Sequence, residues 1–132
     1  MLDLKVLDHS HELIFRNTDV EGVVVPVNRS VLEQYIVVML YDRKDTQRHP
    51  PYIQVRIEGD NYSFAKCTAE PFEWGYTEHN RSNALSEHQL CALLNEVDYI
   101  SKDTLKEILP IIRECKSEYK NIINKYKRKA DI

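Results

Sequence analysis

The sequence predicts an α+β fold, in which a small and mostly antiparallel sheet is followed by C-terminal helices. Before residue 85, short apolar runs alternate with segments rich in Gly, Pro, Asn and Asp, as in strands joined by turns. From residue 85 to residue 126 there is no Gly and only one Pro, and apolar residues recur at helical spacing. A small barrel is the alternative arrangement of the same strands.

Length and composition favour one domain over residues 1–132, with a strand-rich body at 1–84 and a helical part at 85–132. The 42% hydrophobic and 30% charged content is typical of globular proteins. No apolar run reaches the roughly 20 residues of a membrane span. The charged residues near the N-terminus are unlike a signal peptide. We therefore expect a cytoplasmic protein with no membrane contact.

Six short segments are predicted as strands, which gives a sheet of five or six strands. They lie at residues 2–6, 12–16, 23–27, 36–41, 52–57 and 62–67. The continuous apolar run at 36–41 predicts a central strand covered on both faces. Glu58-Gly59-Asp60-Asn61 supplies the turn of the clearest hairpin. Residues 68–84 are predicted as a long loop, within which 72–76 could form a further strand.

Two helices are predicted in the last third of the chain. Ser86 and Gln89 match a capping box at the start of the first helix, which should run to about Asp98. Its Leu93, Leu94 and Val97 share one face and should pack on the sheet.

The second helix should begin after Ser101, and Pro110 should kink or break it. Its apolar stripe continues to Tyr126, which is further than a small sheet can cover. We therefore expect this helix to project past the body or to form a homodimer.

Composition bears on ligands as well. The net charge of −3 argues against nucleic acid as the main ligand, although residues 116–129 are basic and could contact phosphates or simply form a solvated helix end.

Three cysteines without metal-like spacing indicate reduced thiols. His9 and His11 could share a strand face, but no third metal ligand is evident. We expect no metal and no cofactor.

The segment from Trp74 to Arg81 holds the densest group of chemically able side chains. Glu78, His79 and Arg81 could supply a base, an acid and a phosphate or oxyanion contact. Trp74 and Tyr76 could stack on a nucleic-acid base or anchor a protein partner. The structural alternative is a loop held by its aromatic residues, with the polar ones in water.

Residues 36–97 resemble the MazF/PemK family in the order of their elements. Residues 36–40 are similar to the family's core strand, and residues 51–55 (Pro-Tyr-Ile-Gln-Val) to its proline-then-strand hairpin. Residues 62–67 resemble the returning strand and residues 85–97 the closing helix. The resemblance implies a compact, SH3-like barrel with C-terminal helical elements and an RNA-cleaving activity.

The chain departs from the family's pattern where that family carries its RNA-cleaving residues. The N-terminal Gly-Asp-Ile/Val strand is missing, and Glu21-Gly22-Val23 stands where an Arg-Pro pair is expected. Asn28 replaces the expected Thr or Ser. On this comparison the catalytic apparatus is lost or relocated.

Two functional hypotheses follow. The first is a small MazF/PemK-like protein of toxin–antitoxin or mobile-element type, a degenerate endoribonuclease in which His79 and Arg81 act on RNA. The second is a non-catalytic protein-binding protein of the inhibitor or immunity kind. A protein partner is expected under the second hypothesis and RNA under the first.

Overall fold

The structure is a computed structural model that describes residues 3–7, 12–30, 33–69 and 75–130. Within them the chain is α+β, with a seven-stranded antiparallel sheet and two helices. The strands are β1 (Asp3–Leu7), β2 (Glu12–Arg16), β3 (Val20–Ser30), β4 (Glu33–Asp42), β5 (Tyr52–Glu58), β6 (Asn61–Ala69) and β7 (Tyr76–Leu85). The helices are α1 (Glu87–Asn95) and α2 (Lys102–Ala130).

The sheet is a simple meander in which each strand pairs with the next one along the chain. Because neighbouring antiparallel strands need only a short connection, this topology follows from the short strand-and-turn units of the sequence. β1 and β7 form the two edges, and the sheet is not closed. The structure therefore confirms the predicted antiparallel sheet and does not confirm an SH3-like barrel.

The seventh strand corrects the sequence prediction. Residues 76–84, which belong to the segment predicted as a loop, pair with β6 and form β7 together with Leu85. Two irregularities in this pairing break the period-2 alternation by which strands are recognised. Asn80 and Ala84 also have positive φ values of 50° and 54°, which are uncommon in strands. These distortions explain why the sequence pattern did not predict the strand.

The hydrophobic core lies between one face of the sheet and the two helices. On β5, Ile53, Val55 and Ile57 face this core, so the residues that alternate with them face the other side. In the described part of the chain, both helices pack on the core face. The fully buried β4 residues Val38 and Leu40 lie at the centre of the sheet.

Helix α1 begins and packs as predicted. The Ser86 hydroxyl accepts a bond of 3.2 Å from the Gln89 N–H, and the Gln89 side chain accepts one of 2.9 Å from the Ser86 N–H. Leu94 is fully buried and Val97 is 9% exposed, while Leu93 packs against the core from a half-buried position. The helix ends at Asn95, before the predicted Asp98.

Pro110 does not divide the second helix into two, so the predicted break is wrong. It runs unbroken from Lys102 to Ala130 with Pro110 inside it. Pro110 removes the N–H that would bond the Lys106 carbonyl, but both residues are exposed, so water can satisfy that group. Ser101 caps the helix, because its hydroxyl accepts a bond of 3.1 Å from the Thr104 N–H.

Two further expectations concern the chain as a whole. Cys67, Cys91 and Cys115 are free thiols, as predicted. None of the helices in the described residues has the length and apolar character that crossing a membrane requires.

Candidate functional site

A β-bulge in β7 sets the geometry of the candidate site. Lys66 of β6 lies opposite His79, and Phe64 of β6 lies opposite Ser82. The step from Lys66 to Phe64 covers two residues of β6, whereas the matching step from His79 to Ser82 covers three residues of β7. One extra residue is thus inserted in β7, at Asn80 and Arg81. In a regular strand, residues 78 and 81 would point to opposite faces. The bulge brings Arg81 round to the face of Glu78.

The Arg81 side chain connects three strands on the face that lies opposite the helices. Its Nε donates to Glu78 Oε2 at 2.8 Å, and its Nη1 donates to the Ser63 hydroxyl at 2.6 Å. Its Nη2 donates to the Gln54 side-chain oxygen and lies 2.6 Å from Glu78 Oε1. Only 15% of the Arg81 side chain is exposed. Every nitrogen of this guanidinium therefore has a partner.

Arg56 extends the same network. Its Nη2 donates to Glu78 Oε1 at 2.9 Å, and its Nε donates to the Gln54 oxygen at 3.1 Å. Its guanidinium carbon lies 4.8 Å from the centre of the Tyr35 ring, a cation–π distance. We call Gln54, Arg56, Ser63, Glu78 and Arg81 the Arg81 cluster.

The charge state of Glu78 follows from its two arginine neighbours. Hydrogen bonding from Arg81 is the main cause that lowers the Glu78 pKa below its ordinary value, with smaller contributions from Arg56. Partial burial of the carboxylate opposes this shift. Glu78 is therefore ionised at neutral pH and is a weak proton acceptor.

Three tyrosines lie side by side on the same face, next to the Arg81 cluster. The ring centroids of Tyr41 and Tyr52 are 5.1 Å apart, and those of Tyr52 and Tyr76 are 4.8 Å apart in an edge-to-face arrangement. Burial raises the pKa of Tyr41 and of Tyr52, so both phenols stay neutral. Tyr52 is only 9% exposed, whereas Tyr76, at 38%, is the exposed large hydrophobic residue of the described chain.

His79 lies on the other face of β7, towards the helices. Its neighbour Glu78 points away from the helices, and consecutive residues of a strand alternate. The His79 Nε2 atom lies 2.6 Å from the Thr68 hydroxyl. His79 also lines a cleft of about 250 Å³ whose wall includes Leu93 and Val97 of the helical part.

The structure thus divides the residues that the sequence nominated. It brings Glu78 and Arg81 together, and it places Tyr76 beside them through Tyr52. It does not bring His79 to Arg81. Trp74 lies outside the described residues, as do His9 and His11.

Sequence reasoning did not find that Gln54, Ser63 and Arg56 are partners of Arg81. Tyr52, Gln54 and Arg56 alternate with the apolar residues of β5, which indicates that they share a face. Linking them to Arg81 needs the strand order and the bulge, which no local pattern reveals. Among the residues that the structure describes, no group of three or more His, Cys, Asp or Glu side chains could hold a metal ion.

Comparison with known proteins gives no relative: no family model, no curated protein and no solved structure matches the chain.

Proposed function

We propose that this chain is a non-catalytic protein-binding protein of the inhibitor or immunity kind. Its partner would bind the face that carries Tyr76 and the Arg81 cluster. The observation that supports this most is that Arg81 and Glu78 already satisfy each other beside the exposed Tyr76 ring.

The bonding of the cluster argues against a catalytic role for these side chains. Arg81 would have to give up Glu78, Ser63 or Gln54 before it could hold a phosphate. Glu78 is held ionised by its arginine neighbours, so it would be a poor general base. Releasing Arg81 to hold a phosphate, or protonating Glu78, would disrupt a network that joins three strands.

The same bonding favours protein recognition. Side chains that are already fixed lose little conformational freedom on binding, so more of the contact energy appears as affinity. Tyr and Arg are the residue types most enriched at energetically dominant interface positions. Tyr76 offers ring area, and Arg56 and Glu78 offer charged groups next to it.

The test starts from the tagged full-length chain, purified from its native host to identify a bound protein. With that partner in hand, Tyr76→Ala should weaken binding by about 2 kcal/mol, or roughly 30-fold, as loss of a dominant interface residue does. Tyr76→Phe keeps the ring and should bind within about threefold of the wild type. Lys106→Ala, an exposed change on α2, is the control for nonspecific loss.

RNA cleavage of the MazF/PemK type is the competing proposal. It draws support from His79, which contacts Thr68 and lies opposite Lys66, so that a base and a cation share one face. Purified wild-type protein should leave RNA intact under our proposal, and its expression should not arrest growth. RNA decay that is lost in His79→Ala would contradict the binding proposal and favour the nuclease.

A second copy of the chain is a further proposed partner, through the C-terminal part of α2. This helix has 29 residues and is therefore about 43 Å long. Its described buried side chains lie between Thr104 and Cys115. Light scattering of the full chain and of a form that ends at residue 116 would test this, with a dimer expected only for the full chain.

A further inference from the structure

The cleft beside His79 is a second candidate site, on the face of β7 opposite the Arg81 cluster. It lies between β6, β7 and the end of α1, with a volume of about 250 Å³. A neighbouring cleft of about 280 Å³ shares Lys66, Glu96 and Val97 with it. The two clefts therefore lie side by side.

The floor of the His79 cleft is apolar. It is formed by Phe64 of β6 together with Leu93 and Val97. Phe64 is 6% exposed and Val97 is 9% exposed, so they are held in place by the core beneath. A floor of this kind can receive an apolar group without rearranging.

The rim on the strand side consists of hydrogen-bond donors. Lys66 and His79 lie directly opposite each other on neighbouring strands, where side chains are about 5 Å apart at their Cβ atoms. Asn80 and Ser82 continue this rim along β7. The Thr68 hydroxyl holds the imidazole of His79 through Nε2.

The charged groups of the cleft are not used by the fold. Lys66 and Glu96 are both exposed, and neither is in an ion pair with another residue in the described part of the chain. Asn80 has a left-handed conformation at the bulge, where one extra residue of β7 interrupts the regular pairing with β6.

We propose that this cleft binds a small organic anion with an apolar body. The anionic group binds Lys66 and His79, and the apolar body lies on Phe64, Leu93 and Val97. Glu96 lies across from this anion and weakens its binding by repulsion. The proposal is independent of the partner surface, because the two sites are on opposite faces of β7.

The probe is 8-anilinonaphthalene-1-sulfonate, an organic anion of this kind, titrated by fluorescence into the folded full-length protein. Wild-type protein should show saturable binding at one site. Lys66→Gln should weaken it about fivefold, the effect expected of one exposed charge contact. Glu96→Gln should tighten it by a similar factor, since a repulsive charge is removed.

Lys106→Gln removes a lysine that is also exposed but lies outside the cleft, and it should leave the affinity unchanged. Near-ultraviolet circular dichroism of each variant ensures that the probe reports on folded protein. Absence of saturable binding would overturn the proposal, as would equal losses in Lys66→Gln and Lys106→Gln. Weaker binding in Glu96→Gln would also overturn it, because Glu96 would then support the binding of an anion that it is proposed to repel.

Discussion

At the scale of single residues, two positions of β7 hold backbone conformations that L side chains rarely adopt. Asn80 and Ala84 have φ values of 50° and 54°. Asn tolerates this region because its short polar side chain can bond locally, whereas Ala has no such compensation. Ala84 is exposed and belongs to the second pairing irregularity of β7. The pairing of the strand therefore holds Ala84 in a conformation that its own Cβ atom disfavours.

We expect Ala84→Gly to raise the free energy of unfolding by roughly 0.5–1 kcal/mol, because relief of the strain exceeds the added entropy of the unfolded chain. Urea unfolding would measure the change. The matched control is Ala92→Gly, at an exposed position inside α1, which should lower stability by up to about 1 kcal/mol. A loss of stability in both variants would contradict the strain argument.

Glu78 gives a prediction about pH. Its pKa is lower in the folded chain than in the unfolded chain, so ionised Glu78 stabilises the fold above the ordinary carboxyl pKa of about 4.3. This stabilisation is lost as the pH falls through the lower, folded value. Wild-type protein should thus lose more stability between pH 7 and pH 3 than Glu78→Gln does.

The expected difference is at most about 1 kcal/mol, because the Glu78 side chain is 37% exposed and solvent screens its ion pairs. Urea unfolding at the two pH values measures it. Glu58→Gln removes an exposed carboxylate from the same sheet and should follow the wild type. Identical pH dependence of Glu78→Gln and wild type would show that the arginine contacts do not stabilise the fold.

At the scale of secondary structure, the regular elements could be predicted and the distorted one could not. The hairpin of β5 and β6 has an alternating pattern and a Gly59 with φ of 57° at its turn, so its signal is entirely local. The capping box of α1 is local in the same way. β7 carries two bulges, and its polar residues resemble a loop. The Arg81 cluster depends on one of those bulges, which is why the sequence nominated Glu78 and Arg81 without revealing that Gln54, Arg56 and Ser63 are their partners.

The attachment of α1 to the sheet gives an element-scale prediction. Leu94 is fully buried among residues of β6 and both helices. Leu94→Ala should lower the free energy of unfolding by about 2–5 kcal/mol, through lost burial and the cavity left behind. Leu93→Ala should cost less, because Leu93 is only half-buried. A urea midpoint that moves equally for both variants would contradict the packing described for this helix.

At the scale of the whole molecule, the α+β layering follows from pattern, but the contacts that join distant parts of the chain do not. Periodicity shows which face of an element is apolar without showing which element covers it. Tyr99 illustrates this, because its hydroxyl donates to the Leu40 carbonyl at 2.8 Å across 59 positions of sequence. Burial raises the Tyr99 pKa, so the phenol keeps the proton that this bond requires.

Asn17 joins the turn before β3 to the start of α2. Its Oδ1 accepts bonds of 2.9 and 2.8 Å from the N–H groups of Asp19 and Val20. Its Nδ2 donates to Thr104 Oγ1 at 3.1 Å and to Glu107 Oε2 at 3.2 Å, across 87 and 90 positions of sequence. One amide thus fixes a local turn and also docks a helix on it.

Asn17→Ala removes both functions and leaves two backbone N–H groups without their acceptor. We expect the free energy of unfolding to fall by about 1–3 kcal/mol, the cost of leaving partly buried polar groups unpaired. Thr18→Ala, an exposed change in the same turn, should stay within about 0.5 kcal/mol of the wild type. Urea unfolding of the two variants decides the matter. Equal, small changes would mean that the turn and α2 hold their places without Asn17, and that core packing alone docks the helix.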